Sequence, residues 1–541
     1  MKVVTAREMQ NIDKISINQI GIPGEVLMGY AGKSIAEYIY NNIRASGKIA
    51  IFSGTGNNGG DGFVVGYFLC NKGIDVDIYI AGDKERVSEV SGIYLKICIN
   101  SEIPIFEIKE TVDIDGLRLV EYDLIVDSLL GTGFKGAVRG ISKYIIKKIN
   151  GCGIEILSVD IPSGLPSNGE APEGELICAD YTVTIGLPKI SLVTYPGKGF
   201  TGELYISDIG FPSTLTNSNN LNVDLVDDFY VRDRINFNRD IDSHKGMIGH
   251  LLLVGGFDNM EGAIIMTAKS ALETGVGLVT LLTTEKARSI IAGIIPELIT
   301  DSLNCPEISE FLQTDSDWDG KEGIVTGDIS NKIENKINNF FNNGRQYDVM
   351  VIGPGMGRSV SSSLVFNIIF DNLIAYGIKR VLIDGDGLYN LAEYLKDKEL
   401  PHGVDYIITP HFIEASRLLK KSVDEIKRDR LNSAIRLSKG TSTTCLLKGP
   451  ATIVSNGKET LINSTGNPSM AIAGSGDVLS GIIGALLHKN ISSLDAAGIG
   501  SFFHGMAADI YVKENDTSLM KATNIINYIR KAISYTLSNE I

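Results

Sequence analysis

The chain has 541 residues, which favours more than one domain. Hydrophobic residues make up 43% of it and charged residues 21%, as in an ordinary soluble globular protein, and its 59 glycines suggest many tight turns between strands and helices. The formal net charge of −15 argues against a surface that binds nucleic acid or an anionic membrane.

The six cysteines are scattered, with no C-x-x-C pair and no histidine at metal-ligand spacing. This pattern disfavours both a zinc site and a disulfide framework. No apolar run approaches the length of a membrane span, and the first residues are polar and charged. We therefore expect a cytoplasmic protein with small-molecule ligands and neither a nucleic-acid nor a membrane partner.

The first nucleotide-binding signal follows two helix-like stretches within residues 7–44. The apolar run 48–52 is typical of a buried parallel strand, and it leads into the glycine-rich segment 53–62 and a helical pattern. A tight turn alone would explain one or two glycines, but it does not explain five glycines together with Asn57, Asn58 and Asp61. The spacing also differs from the G-x-G-x-x-G of dinucleotide-binding dehydrogenases.

Two later strands of the same half end in similar loops. The run 122–127 ends on Asp127 and opens into 131–137, and the run 155–159 ends at Asp160. Ligands of open α/β sheets bind at the carboxyl ends of strands, so these loops should line one pocket. Each aspartate alone is more often a cap or turn residue, but three of them beside glycine loops favour a site.

These three motifs, N-N-G-G-D-G, D-x-x-x-G-T-G and D-I-P-S-G, resemble in their order the YjeF N-terminal family, whose enzymes epimerise NAD(P)H hydrate. The resemblance implies a Rossmann-like epimerase domain over residues 1–215 with Asp160 as a catalytic residue facing the reacting ring. It implies a K⁺ ion on Asn58, Asp127 and Ser163. The residues that would hold the hydrate are Asn57, Asn58, Gly59, Gly60, Asp61, Gly131, Thr132, Gly133, Phe134, Lys135, Gly136, Ala137 and Asp160. Gly29 stands where the family usually has an acid.

A polar and charged tract predicts an irregular linker over residues 216–240. Beyond it, strand-like runs again end at glycines, as at Gly255 and Gly353, or at polar residues, as at Asp384 and Lys448. Repeated βα units of this kind predict a second, largely parallel sheet with right-handed crossovers.

The segment 465–481 places small residues before an apolar helical pattern. A glycine-rich turn that opens a helix suits an anion, because backbone N–H groups converge there and the helix dipole favours negative charge. Asp477 is out of place beside a phosphate unless it takes a proton from an attacking hydroxyl. A simple helix cap explains Asp477 equally well from this loop alone.

The second half resembles the ribokinase-like superfamily, and within it the NAD(P)H-hydrate dehydratases. The match is carried by the segments 243–246, 254–263, 353–357 and 448–452 and by the T-G-N-P to G-S-G-D run. The resemblance implies a dehydratase domain over residues 241–541, with Asp477 as the catalytic base and Mg²⁺ accompanying ADP. The hydrate would contact Ala263, Gly355, His411 and Asp477, and the nucleotide would contact Lys448, Gly449, Pro450, Ala451, Thr452 and Gly476. Phe412-Ile413 replaces the family's usual Pro-Gly.

The predicted fold class is therefore α/β, with two three-layer αβα domains, Rossmann-like and then ribokinase-like. The two resemblances together imply a bifunctional nicotinamide nucleotide repair enzyme. Its isomerase half would interconvert the R and S hydrates, and its lyase half would dehydrate the S form with ADP, which becomes AMP and phosphate. Members of both families commonly assemble, so we expect a homo-oligomer.

Three other functions remain open. The second half could belong to a small-molecule kinase for a vitamin alcohol, although the segments 243–246 and 448–450 favour the dehydratase. The first half could be a binding module without activity, or purely structural. Retention of Asp61, Asp127 and Asp160 disfavours the binding module. The sequence leaves the choice between ADP and ATP, and between NADH and NADPH, undecided.

Overall fold

The computed structural model describes residues 1–43, 47–238, 241–242, 248–257, 259–303 and 327–538. The chain divides into an N-terminal unit, Lys2–Asp224, and a C-terminal unit, Leu225–Ile541, which also takes in Met1. Each unit has a predominantly parallel sheet, which confirms the predicted α/β class. The predicted motif 243–246 lies outside the described residues.

The sheet of the N-terminal unit has seven parallel strands in the order β4-β3-β2-β5-β6-β7-β8. Its connections lead outward in opposite directions from β2 and β5, so the crevice between these two strands is a topological switch point. A short β1 pairs in antiparallel fashion with the start of β9. The strands are β1 Lys2–Val3, β2 Ile49–Ser53, β3 Val76–Ala81, β4 Ile105–Ile108, β5 Leu124–Ser128, β6 Ile156–Val159, β7 Tyr181–Ile185, β8 Glu203–Ser207 and β9 Val223–Val226.

Apolar residues cover both faces of this sheet. Along β2, Ile49 and Ile51 belong to one buried cluster, whereas Ala50 and Phe52 belong to another. Since neighbouring strand residues point to opposite faces, both faces are packed, as a three-layer αβα domain requires. The α-helices of this unit are Ala6–Ile15, Gly24–Asn42, Asn57–Asn71, Glu89–Asn100, Thr111–Asp115, Gly140–Asn150, Ile190–Val193 and Ser213–Thr216.

The C-terminal unit has a larger sheet in the order β12-β11-β10-β13-β14-β15-β16-β17-β18. Neighbours from β12 to β16 are parallel, and β17 and β18 continue in antiparallel fashion. Its switch point lies between β10 and β13. The strands are β10 His250–Val254, β11 Leu278–Thr283, β12 Ile299–Ser302, β13 Val349–Ile352, β14 Arg380–Ile383, β15 Asp405–Ile408, β16 Thr444–Leu447, β17 Ile453–Ser455 and β18 Thr460–Asn463.

Both faces of the second sheet are also packed, because Leu251 and Leu253 of β10 join one buried cluster and Leu252 and Val254 join the other. None of the helices in the described ranges is long and apolar enough to cross a membrane. The described α-helices of this unit are Asp228–Arg234, Glu261–Thr274, Glu285–Ala292, Gly327–Phe341, Val360–Asp371, Asp386–Tyr394, Phe412–Leu419, Val423–Arg428, Arg430–Thr441, Ser475–Leu486, Ser493–Asn515 and Ala522–Leu537.

Part of the predicted irregular linker 216–240 is regular structure. Residues 223–226 form β9, and the helix Asp228–Arg234 follows directly. Asp227 caps this helix by accepting a hydrogen bond of 2.8 Å from the Tyr230 backbone N–H. The cap explains the helix in so charged a stretch, because an aspartate side chain satisfies an N–H that the first turn leaves unpaired.

Candidate active sites

The first candidate site is a cavity of about 680 Å³ in the N-terminal unit. It lies at the switch point between β2 and β5, because the residues after both strands line it. The predicted residues that line the cavity are Asn57, Asn58, Asp61, Gly131, Thr132, Gly133, Phe134 and Asp160. The structure thus brings the three motifs of the first half together around one pocket.

Five of the residues predicted to hold the hydrate do not line this cavity. Gly59 lets the start of its helix pack on the preceding loop, since a Cβ there would lie 1.9 Å from the carbonyl oxygen of Gly54. Gly60 does the same towards a neighbouring helix, where a Cβ would lie 2.3 Å from Ser91 Oγ. The remaining three, Lys135, Gly136 and Ala137, follow the lining residue Phe134 in the chain.

Asp160 and Lys189 form a buried ion pair in the wall of the cavity. Asp160 follows β6 with a φ of +66°, a conformation that is rare for a residue with a side chain. Its Oδ1 accepts hydrogen bonds from the Ile185 N–H at 2.9 Å, from Thr184 Oγ1 at 3.2 Å and from the Lys189 ammonium. Lys189 is fully buried and also donates to the carbonyl of Ile185 at 3.0 Å. These contacts hold the Asp160 carboxylate in one position.

Two further carboxyl groups face the same cavity. Asp61 lies in the first turns of the helix Asn57–Asn71, and Asp13 comes from the helix Ala6–Ile15. Burial raises the pKa of Asp61 well above its ordinary value, and the negative charges of Asp160 and Asp13 raise it further, against the lowering effect of Lys189. The pKa of Asp13 is also raised, by burial and then by Asp160.

Lys189 and Asp13 were not identified from the sequence. Lys189 follows β7 at the edge where β2, β5 and β6 also end, so its position after a strand was an available signal. No sequence signal distinguished Asp13, because it lies on an amphipathic helix that carries several other charged residues.

Asp127, at the end of β5, is fully buried and is held by donors from β6 and from the loop that follows β6. Its Oδ1 accepts from Ser163 Oγ at 2.6 Å, and its Oδ2 accepts from the Ser163 N–H at 2.9 Å and from Ser158 Oγ at 2.8 Å. Burial raises the pKa of Asp127, and these hydrogen bonds lower it. Among the described residues no cation pairs with Asp127, and Asn58 Nδ2 is buried without a hydrogen-bond partner.

The second candidate site lies in the C-terminal unit, at the carboxyl ends of β14, β15 and β16. Asp384, directly after β14, is almost fully buried and pairs with the ammonium of Lys448. It also accepts hydrogen bonds of 2.7 Å from Thr409 Oγ1 and Ser480 Oγ. Burial alone would raise the pKa of Asp384, but Lys448 and the two hydroxyls lower it below the ordinary value. The sequence showed Asp384 at a strand end without assigning it a role.

Asp477 lies beside this ion pair as the third residue of the helix Ser475–Leu486. The helix begins after Gly474, whose φ is +86°, and no side chain caps it, so Asp477 is not a helix cap. Burial, followed by the charge of Asp384, raises the pKa of Asp477 to about 7, although Lys448 opposes the shift. A carboxyl group with this pKa can exchange a proton near neutral pH, as a general base must.

The start of this helix also lies next to Lys448. A Cβ on Gly476 would lie 3.1 Å from Lys448 Nζ, so the ammonium lies against the first turn of the helix. Ser475 Oγ contacts His504 Nε2 at 3.3 Å. Burial lowers the pKa of His504 to about 4, which keeps this histidine neutral. A lysine ammonium at the start of a helix, together with the helix dipole, favours a negatively charged group at this position.

The predicted nucleotide-binding segment 448–452 is a tight loop held by Arg430. The guanidinium of Arg430 donates to the carbonyls of Pro450 at 2.6 Å and of Ala451 at 3.2 Å. Thr452 Oγ1 donates to the carbonyl of Gly449 at 3.0 Å. The loop therefore has a fixed shape, and Arg430, which the sequence did not reveal, maintains it.

Two other predicted substrate contacts, Ala263 and Gly355, lie against each other at the switch point. A Cβ on Gly355 would lie 3.2 Å from the Cβ of Ala263 and 2.5 Å from the carbonyl oxygen of Met260. Gly355 has a φ of +60° as well, so both space and backbone conformation require glycine there.

The comparisons with known proteins agree with this division. A family model described as NAD(P)H-hydrate dehydratase matches residues 251–531, and one described as YjeF-related protein N-terminus matches residues 24–191. The bifunctional NAD(P)H-hydrate repair enzyme Nnr of Moorella thermoacetica is 33% identical over 539 residues, which cover 98% of this chain and 96% of that protein. The chain belongs to this family of bifunctional repair enzymes.

The chain is also similar to the following two proteins. The Nnr of Escherichia coli is 32% identical over 535 residues, covering 98% of this chain and 93% of that protein. The structure of the ADP/ATP-dependent NAD(P)H-hydrate dehydratase from Bacillus subtilis, co-crystallised with ATP/Mg²⁺, is 22% identical. It covers 58% of this chain and 99% of that one, with a TM-score of 0.46.

Relative to the usual motifs of the family, the chain departs at Gly29. A Cβ on this residue would lie 2.5 Å from the hydroxyl oxygen of Tyr94, which itself donates to the carbonyl of Glu25 at 2.9 Å. The Tyr94 hydroxyl thus occupies the space in which a side chain at position 29 would begin. Gly29 and Tyr94 meet where two helices pack together, and neither residue lines the cavity.

The second departure, Phe412-Ile413, opens the helix Phe412–Leu419. His411 is its N-cap: His411 Nδ1 accepts from the Ile413 N–H at 3.1 Å and from the Glu414 N–H at 3.3 Å. Glu414 Oε2 accepts in turn from the His411 N–H at 2.9 Å, which completes a capping box. Burial, opposed by Lys448, raises the pKa of Glu414 to about 7. The turn therefore fixes His411 despite the altered residues.

Proposed function

We propose that this protein repairs hydrated nicotinamide dinucleotides with two activities in one chain. The N-terminal unit interconverts the R and S hydrates, and the C-terminal unit dehydrates the S hydrate with ADP, giving NAD(P)H, AMP and phosphate. The observation that carries the proposal is Asp477, which has a pKa of about 7 beside Lys448 at an uncapped helix start. Membership of the repair family supports both halves.

The chemistry of the second site follows from the weakness of hydroxide as a leaving group. Asp477 takes the proton of the hydrate's hydroxyl, whose oxygen then attacks the terminal phosphoryl group of ADP. Lys448 and the N–H groups at the start of the helix stabilise the negative charge on that group. The ring nitrogen's lone pair then expels phosphate and forms a cationic carbon–nitrogen double bond. The adjacent ring carbon loses a proton to solvent, and the carbon–carbon double bond that forms restores the dihydropyridine ring.

The donors around Asp127 fit a K⁺ ion, as the resemblance implies. Asp127 is a buried carboxylate with no cationic partner among the described residues. Carboxylate, amide and hydroxyl oxygens are ligands that hard cations take. We assign the ion to Asn58, Asp127 and Ser163, where its charge would offset the repulsion between carboxylates and a bound diphosphate.

The K⁺ assignment is tested by the thermal unfolding midpoint. Replacing tetramethylammonium by K⁺ at constant ionic strength should raise the midpoint of the wild type, and Asp127→Asn should remove this response. An equal response of the variant would contradict the assignment.

Mg²⁺ is expected to enter the second site with the nucleotide. Within the described ranges no three histidine, cysteine, aspartate or glutamate side chains form a metal-binding group. Mg²⁺ commonly binds through substrate phosphates and water with one or two carboxylates, so a dedicated protein cage is not required.

The cytoplasmic location and the homo-oligomer remain predictions of the sequence.

The proposal is tested by the products formed from purified S hydrate with ADP. Wild type should release AMP and phosphate in step with NADH, whereas Asp477→Asn should lower the rate at least about a hundredfold, since a general base contributes about 10²–10⁴. Asp397→Asn, which alters an exposed acid of the same unit, is the matched control. Formation of NADH without loss of ADP or ATP would refute the proposed reaction.

A further inference from the structure

Asp61 and Asp160 face the same cavity but differ in their hydrogen-bond partners. Asp160 is held by an ammonium, a hydroxyl and a backbone N–H, all of which stabilise its ionised form. Asp61 is only 9% exposed, and its side chain makes no hydrogen bond to any of the described residues. A buried carboxyl group without a donor is more stable as the neutral acid.

The negative charges around Asp61 act in the same direction as its burial. Burial raises the pKa of Asp61, the nearby carboxylates of Asp160 and Asp13 raise it further, and Lys189 lowers it. The phenol of Tyr94, from the helix packed against that of Asp61, interacts with it electrostatically but donates its hydrogen bond to Glu25. The cavity is thus lined by one carboxyl group without a hydrogen-bond donor and one that three donors hold, and such a pair can divide the acid and base roles of catalysis between them.

We propose that Asp61 and Asp160 are the acid and base of epimerisation, exchanging roles between the two directions. This inference rests on the proposed function of the N-terminal unit. It adds the role of Asp61, which the motif resemblance treats only as a binding residue, and it assigns Lys189 as the residue that positions Asp160.

The step balances without any further reagent. The Asp61 carboxyl proton passes to the hydroxyl oxygen of the hydrate, the carbon–oxygen bond breaks, and the ring nitrogen's lone pair forms a cationic carbon–nitrogen double bond as water departs. A water molecule then adds to the opposite face of that carbon, and Asp160 takes its proton. Transfer of one proton from Asp160 back to Asp61 restores the starting state.

The direct test is the interconversion of separated R and S NADH hydrates in the absence of any nucleotide, with the uncatalysed rate subtracted. Asp61→Asn, which keeps the shape of the side chain, should lower kcat at least about a hundredfold with little change in KM. Asp115→Asn, an exposed acid of the same unit, should leave the rate unchanged. Undiminished epimerisation by Asp61→Asn would overturn the inference.

Water labelled with heavy oxygen gives a second readout. Each epimerisation by the wild type should place one labelled oxygen in the hydrate, because the original carbon–oxygen bond breaks. Epimerisation without label would show that the ring carbon keeps its oxygen, and it would overturn the inference even if Asp61→Asn were inactive. A wild type that epimerises nothing would instead refute the proposed function. Unchanged thermal unfolding of Asp61→Asn checks that its loss is not a folding defect.

Discussion

At the scale of single residues, the second site depends on a carboxyl group whose proton is exchanged near neutral pH. Burial, with the charge of Asp384, raises the pKa of Asp477 to about 7. Below that pH Asp477 is protonated and cannot accept a proton. The kcat/KM of dehydration should therefore fall as pH drops through about 7 and level off above it, as steady-state assays across the neutral range would show.

Glu414 provides the control for this profile, because its pKa is also raised to about 7. Glu414→Gln should keep the inflection if Asp477 is the base. An inflection that disappears in Glu414→Gln, or a wild-type profile that is flat below neutral pH, would contradict the role of Asp477.

The ion pair between Asp384 and Lys448 serves the fold as well as the site. Lys448→Met would leave a nearly fully buried carboxylate with hydroxyl partners only, which costs about 3–5 kcal/mol in the free energy of unfolding. Asp384→Asn combined with Lys448→Met should recover much of this loss, since no unpaired charge remains. Urea denaturation measures both effects. If the free energy of unfolding of Lys448→Met lies within about 1 kcal/mol of that of the wild type, the structural role is refuted.

The sequence was informative about residues in motifs and silent about those that support them. Asp160 and Asp477 stood beside glycine loops, where a carboxylate calls for an explanation. Lys189 and Arg430 lie outside any such motif, and they act through long-range contacts: Lys189 on Asp160, 29 residues away, and Arg430 on Pro450, 20 residues away. Contacts of this kind depend on the packing of elements, which local sequence does not specify.

At the scale of elements, the helix Asn57–Asn71 positions the first site through a close backbone contact. Gly59→Ala would place a methyl group 1.9 Å from the carbonyl oxygen of Gly54, so the helix must shift. We expect a loss of about 1–3 kcal/mol in the free energy of unfolding. Gly56→Ala is the matched control, because nothing lies within 4 Å of a Cβ there. Equal denaturation midpoints for the two variants would contradict the account.

The strands were predictable because buried parallel strands are continuous apolar runs. The runs predicted at 48–52 and 122–127 appear as β2, Ile49–Ser53, and β5, Leu124–Ser128. The helix Asp228–Arg234 was missed, because its charged composition resembles a linker and its stability depends on the cap from Asp227 and on packing of Tyr230 and Val231. The pattern of apolar residues therefore identifies buried helices and strands well. It identifies short helices with many charged residues poorly.

At the scale of the whole molecule, each unit has its own sheet with its own switch point, and a candidate site lies at each sheet's carboxyl edge. Chain order and motif order were enough to predict two α/β domains. The sequence could not show which motif residues face the first cavity, since that depends on how the loops fold. Asp61 and Phe134 line it, whereas Gly59 and Lys135 do not.

The most direct test of the account uses a mixture of R and S NADH hydrates and follows the near-ultraviolet absorbance of the restored dihydronicotinamide ring with ADP, ATP or no nucleotide. Wild type should convert the whole mixture only when a nucleotide is present. Asp477→Ala should convert none, and Asp160→Asn should convert the S form promptly and the remainder at the spontaneous rate. Mixing the two variants should restore full conversion. No recovery of absorbance with any nucleotide would contradict the account.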